Sequence, residues 1–415
     1  MSGEPLPTLL QLTALDPGYR VDPHVSLDRL RSDCPVYHDD TSGSFILTRH
    51  EDIRRLLSDR SLLCDPLKAQ KSAVLQRWFA GAASEEVPRS ETTSILMLDD
   101  PDHARIRKPL SRALAARIAK LRPEVESIID KALDAIDPSE PFDLVSRFCV
   151  PVSVGAIAAI LGVDHERLAE FRDWSEGAVQ KLNPFRTEAQ TEHMERAAAA
   201  LTEYFSETVK ARRADPRDDL ISDMVRLQAD GAVFSDVELQ INLRALLNGG
   251  NLTTSDLIGN AVLLLLQHPE ELAKLKASPA LVAAVVEETL RYEPPAYIIW
   301  RIASADTNVG GCPIRAGQVF SLFLRAANHD PDVFEEPHRF DITRFSKPHV
   351  AFGGGSHICI GAALARLEGQ VALLKLFERF PDLCFANSDK TPDWRSSHYP
   401  FIRGLERLEL RKEPR

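Results

Sequence analysis

The chain has 415 residues, a net charge of −11, 44% hydrophobic residues and 27% charged residues. That is the make-up of an ordinary globular protein, and its acidity argues against a nucleic-acid partner, which needs a basic face. Six cysteines, Cys34, Cys64, Cys149, Cys312, Cys359 and Cys384, are scattered without pairing or zinc-type spacing, as in a reduced, cytoplasmic protein, and residues 1–23 hold no apolar run long enough for a signal peptide or a membrane span.

A basic helix is expected from Asp100. His103 and Arg107 stand at i, i+4 and project together, a pairing that suits a carboxylate or phosphate as well as a solvated face. Ser235-Asp236-Val237-Glu238 is a capping box. From there nothing forces a stop before His268 and Pro269, which gives about 50 Å of helix. Its second half, Leu257 to Leu266, is apolar nearly all round and should be buried. Its centre reads Asn248-Gly249-Gly250-Asn251-Leu252-Thr253-Thr254, and each glycine costs about 1 kcal/mol relative to alanine. Either another helix crosses closely there, or a ligand lies against bare backbone with the Thr253 hydroxyl available.

Ser278-Pro279 opens a further helix that ends near Tyr292, before Pro294-Pro295. Glu288 and Arg291 share one of its faces. Arg301 begins a strand-like segment, and Arg339 follows in Pro337-His338-Arg339-Phe340. The densest signal is Phe352-Gly353-Gly354-Gly355-Ser356-His357-Ile358-Cys359-Ile360-Gly361, followed by helical periodicity through Phe377. A thiol at a helix N-terminus should have a lowered pKa, so Cys359 reads as a metal ligand or a nucleophile. Three successive glycines should let the backbone pass close to something flat and bulky.

Taken in order, His103-x-x-x-Arg107, Gly249-Gly250-Asn251-Leu252-Thr253-Thr254, Glu288-x-x-Arg291 and the Phe352–Gly361 loop resemble the cytochrome P-450 superfamily, in particular its soluble bacterial members. The resemblance runs from about Met97 to the C-terminus and is densest from Ile241 to Leu373. It implies a mainly α fold spanning residues 1–415 as one catalytic domain. That fold has a large helical body, a long central helix and a small β-rich region, with heme b buried between the central helix and the cysteine loop. Cys359 would be the thiolate ligand of the heme iron, with Phe352 packed beside the sulfur. His103, Arg107, Arg301 and His357 would hold the propionates. Gly249, Gly250 and Thr253 would lie over the distal face, and Glu288, Arg291 and Arg339 would form a buried triad.

The family usually places an acid before the distal threonine, where this chain has Leu252. Either Asn251, Thr254 or Asp256 would then organise a water chain for proton delivery, or the substrate would bring its own polar group. The pocket walls implied are Trp78 and Phe79 or Ile95 and Leu96, then Leu182, Phe185, Ala245, Asn248, Gly249, Ala296, Tyr297, Ile298, Tyr399 and Phe401. That set suits a small hydrophobic or aromatic substrate. The implied activity is insertion of one oxygen atom from dioxygen, as hydroxylation or O-dealkylation. Leu252 keeps peroxide-driven oxidation, nitric oxide reduction and dehydration open, and a non-catalytic heme sensor is the remaining alternative. No flavin or iron–sulfur motif is present, so electrons should come from a ferredoxin and its reductase, docking on a basic patch of Arg105, Lys108, Arg112 and Arg366.

Overall fold

The computed structural model describes residues 5–79, 87–183, 185–231, 234–344, 348–387, 392–395 and 400–412. Most of them are helical. Seven helices matter for the site: α1 (His24–Asp33), α2 (Asp102–Ile118), α3 (Val150–Leu161), α4 (Leu168–Val179), α5 (Asp236–Gln267), α6 (Val282–Tyr292) and α7 (Ala362–Arg379). A four-stranded sheet is formed by β1 (Val36–Asp39), β2 (Ser44–Leu47), β3 (Ile298–Ile302) and β4 (Val319–Phe323), in the order β1-β2-β4-β3. The β2–β4 pair is parallel and the other two pairs are antiparallel.

Helix α5 has the expected ends. The Ser235 hydroxyl accepts from the Glu238 N–H at 3.2 Å, and the Glu238 carboxylate accepts from the Ser235 N–H at 2.7 Å. At its far end Pro269 starts the next helix. Leu257, Ile258, Val262, Leu263 and Leu265 are almost wholly buried, since α3, α4, α6 and α7 all pack around this helix. Burial of that apolar half, rather than intrinsic propensity, carries the helix past its weak centre. Helix α7 starts at Ala362, three residues beyond Cys359, also as the periodicity predicts. Among the described residues no helix is long and apolar enough to cross a membrane.

The Glu288–Arg291 pair is buried and bidentate, at 2.8 Å for both contacts. Arg291 also donates to the carbonyls of Asn328, Pro337 and Arg339. The third member of the triad is not the one expected. Arg339 is 56% exposed and pairs with Glu336, whereas Arg344 lies 3.3 Å from Glu288 and is 12% exposed. Only the Arg339 backbone takes part, as an acceptor for Arg291 and Arg344.

Candidate functional site

The cysteine loop is built on its own backbone. The Cys359 N–H donates to the Phe352 carbonyl at 2.9 Å, and the Gly353 N–H to Val350 at 2.8 Å. Gly353 and Gly355 have φ of +69° and +65°, the left-handed region that favours glycine. A Cβ at Gly355 would stand 2.2 Å from the Leu57 carbonyl oxygen, and one at Gly354 would be 3.1 Å from Leu57 Cβ. The last two glycines therefore make room for the chain's own Leu57, not for a flat ligand.

Arg366 lies over the Phe352 ring at 4.6 Å and forms a bidentate pair with Glu287 at 2.6 and 2.9 Å. Cys359 is solvent-accessible, but burial by surrounding protein pushes its thiol up from its ordinary value. The Gly361 backbone N–H and the guanidinium groups of Arg107 and Arg366 pull the other way. The expected lowering is thus overturned: desolvation outweighs the one backbone N–H that reaches the sulfur.

Hydrogen-bond donors from α2, β3 and the cysteine loop itself meet here. The rings of His103 and His357 stack with centroids 4.0 Å apart. Arg107 donates to the Ile358 carbonyl, and the buried Arg301 donates to the Trp300 carbonyl at 2.8 Å. Burial, with the charges of His103, Arg301 and Arg107, pushes His357 down to about 3. His103 Nε2 is buried without a partner. Four donors crowded together, one of them orphaned, leave the cluster short of anionic acceptors. Two carboxylates placed among them would reverse that balance, so the donor set fits heme propionates. Asp99 lies at the edge of this cluster, close to Cys64 and His357.

On α5 the centre divides by face. A Cβ at Gly249 would meet nothing within 4 Å, whereas one at Gly250 would stand 2.9 Å from Ile157 Cγ1 on α3. Gly249 therefore borders open space. Gly250, expected over the ligand, instead allows a close helix crossing. Thr253 stands one turn beyond Gly249 and donates its hydroxyl to the Gly249 carbonyl at 2.8 Å. Asn251 is turned toward α4, where Arg172 donates to its Oδ1 at 3.0 Å. Asp256 is paired with Arg395. Thr254, rotated about 100° from Thr253, is buried. None of the three proposed substitutes for the missing acid shares the open face that Gly249 and Thr253 border, and Leu252 is itself buried.

A small, mostly apolar cavity is lined by Leu75, Trp78, Ile298, Trp300 and Phe401, with the hydroxyl-bearing Ser42, Ser44 and Ser321. Trp78 packs against Phe401 and Phe185 at 5.9 and 6.5 Å. Phe185 is half exposed, and Ala245 and Asn248 are partly buried on α5. The Asn248 Oδ1 has no partner. Ala296 bridges to Ile402. Tyr297, expected in the wall, is a core residue: it is wholly buried, donates to Pro400 and accepts from the Ala14 N–H at 3.1 Å. Ile95 and Phe79 are likewise buried in apolar clusters. Tyr399 lies outside the described residues. Of the basic patch, Arg105 pairs with Asp102 and Glu238 at 2.7 and 2.6 Å and Arg366 pairs with Glu287, which leaves Lys108 and Arg112 exposed.

Residues 279–395 match the family model described as cytochrome P-450. Cytochrome P-450 107B1 of Saccharopolyspora erythraea is 38% identical over 408 residues, covering 96% of this chain and 97% of that protein. The 6-deoxyerythronolide B hydroxylase of the same organism is 34% identical, covering 95% and 96%. Among solved structures, the P-450 enzyme CxnD, described as forming a C–S bond in chuangxinmycin biosynthesis, superposes with a TM-score of 0.87 at 32% identity and covers 99% of both chains. The chain therefore belongs to the cytochrome P-450 family of heme b monooxygenases.

Proposed function

We propose that the chain inserts one oxygen atom from dioxygen into a small hydrophobic or aromatic substrate, by hydroxylation or O-dealkylation, with a ferredoxin and its reductase supplying electrons. The heme, when bound, supplies the oxygen-activating chemistry. Cys359 would ligate its iron, and His103, Arg107, Arg301 and His357 would hold its propionates. Thr253 holds the hydroxyl nearest the open face of α5 and would pass or orient a proton there.

The observation that carries the substrate class is the cavity walled by Trp78, Ile298, Trp300 and Phe401. Its lining favours apolar area and offers few charges. Asn248, with its unpartnered Oδ1, would accept a hydrogen bond from a single polar group on the substrate. The name of the 6-deoxyerythronolide B hydroxylase supports the same class of chemistry.

The test is a substrate screen by Soret shift on the holoenzyme, followed by turnover with a ferredoxin system and with hydrogen peroxide alone. Product from dioxygen that requires the ferredoxin supports the proposal. Turnover with peroxide alone supports the second reading, a peroxide-driven enzyme. That reading draws on the absence of an acid at Leu252.

A further inference from the structure

Three histidines distant in sequence from the cysteine loop converge on one point. His24 stands on α1, His329 caps the short helix Leu324–Asn328, and His338 follows in the loop that Arg291 holds. Their ring centroids are 4.3, 4.8 and 5.3 Å apart. One nitrogen from each lies within 4.8 Å of the others. Zinc with Zn–N of about 2.0–2.1 Å needs ring nitrogens roughly 3.3 Å apart, so the three rings would draw together on the ion.

Hydrogen bonds already fix which nitrogens are bare. His329 Nδ1 lies 3.0 Å from the Arg325 carbonyl, so it carries the proton and leaves Nε2 as a lone pair. That Nε2 is buried with no partner, and so is Nδ1 of His24. His338 Nε2 lies 2.7 Å from an Asp28 carboxylate oxygen, which orients the ring and leaves Nδ1 available. A ligand imidazole held by a carboxylate or a carbonyl through its other nitrogen is the usual support of a metal site. Of the nearby guanidinium groups, Arg31 pairs with Asp28 and Arg291 with Glu288, while Arg325 and Arg403 share the single carboxylate of Glu293. A cleft lined by Asp28, Arg31, Asp330, Asp332, Pro337 and His338 opens the site to solvent.

We propose that His24, His329 and His338 form a binding site for a divalent transition-metal cation such as zinc, with Asp28 positioning His338. The ion would clip α1 to the backbone at Asn328 and Pro337 that Arg291 gathers, a structural role separate from the heme.

The test uses the holoenzyme, treated with chelator, desalted and titrated with zinc against a fluorescent zinc indicator, with metal content read by mass spectrometry. One zinc per chain is expected, a rise in unfolding temperature on adding it, and 10- to 100-fold weaker binding in His338→Gln. His338 is 45% exposed, so that variant should keep an unaltered Soret spectrum. Absence of stoichiometric zinc, or equal binding by the parent and by both His338→Gln and His24→Gln, overturns the proposal. A zinc K-edge spectrum of the parent adds a readout that needs no variant: nitrogen ligation with imidazole scattering supports it, and sulfur ligation overturns it.

Discussion

Single side chains separate two kinds of legibility. Cys359, His103, Arg107 and Arg301 are singled out by the family resemblance, and the structure sets the last three beside the cysteine loop. Arg339 cannot be told from Arg344 by spacing, since both follow the Arg291 helix at similar remove and only the path of the loop decides which guanidinium turns inward. The difference is measurable. Arg344→Leu leaves Glu288 short of a partner and should cost about 3 kcal/mol, while Arg339→Ala, at the surface, should stay within about 1 kcal/mol; urea unfolding of the two variants checks it. Thr253→Ala should lower product formed per NADH consumed while substrate-induced Soret shifts persist, because its hydroxyl is the one at the open face. Unchanged coupling would remove Thr253 from proton handling. Glu287 supplies the pH dependence. Burial alone would raise its carboxyl, yet Arg366 and His349 hold it down to about 2. Its folded value lies below its unfolded one, so its contribution is fully present above about pH 4.5 and is lost as pH falls toward 2. Glu287→Gln should flatten the acid limb of a plot of unfolding temperature against pH.

At the level of elements, α5 shows what periodicity captures and what it misses. Its capping box and closing proline fix both ends, and its apolar half follows from composition. The paired glycines carry no sign of which one faces a neighbour, because adjacent residues differ by about 100° around the axis and the neighbour comes from α3. Gly249→Ala should gain about 1 kcal/mol of helix propensity and disturb the Soret spectrum, since its Cβ enters the open space. Gly250→Ala should lose about 1–3 kcal/mol to overpacking against Ile157, offset in part by the same propensity. In an Ile157→Ala background the Gly250→Ala loss should disappear, a coupling that a double-mutant cycle measures. Equal behaviour of the two glycines in either background contradicts the face assignment.

Across the whole molecule, charge and packing set different limits. A chain of net charge −11 leaves Lys108 and Arg112 exposed on α2, a small basic spot that the proposed ferredoxin would use. Reversing both to Glu should slow reduction by a ferredoxin roughly 10-fold at low salt and flatten its salt dependence. The four motifs carry the family resemblance, whereas the first hundred residues fit it by length and position, and packing there is met by many sequences. Leu57 shows how much that silent region governs. Its carbonyl faces Gly355 and its side chain faces Gly354, so helix His50–Ser58 is one jaw of a clamp whose other jaw carries Cys359. Recombination between this chain and a relative should therefore respect an unwritten linkage: crossovers that inherit residues 50–58 and 350–361 from one parent should assemble the cofactor, and crossovers that divide them should yield chains that fold around a misplaced thiol.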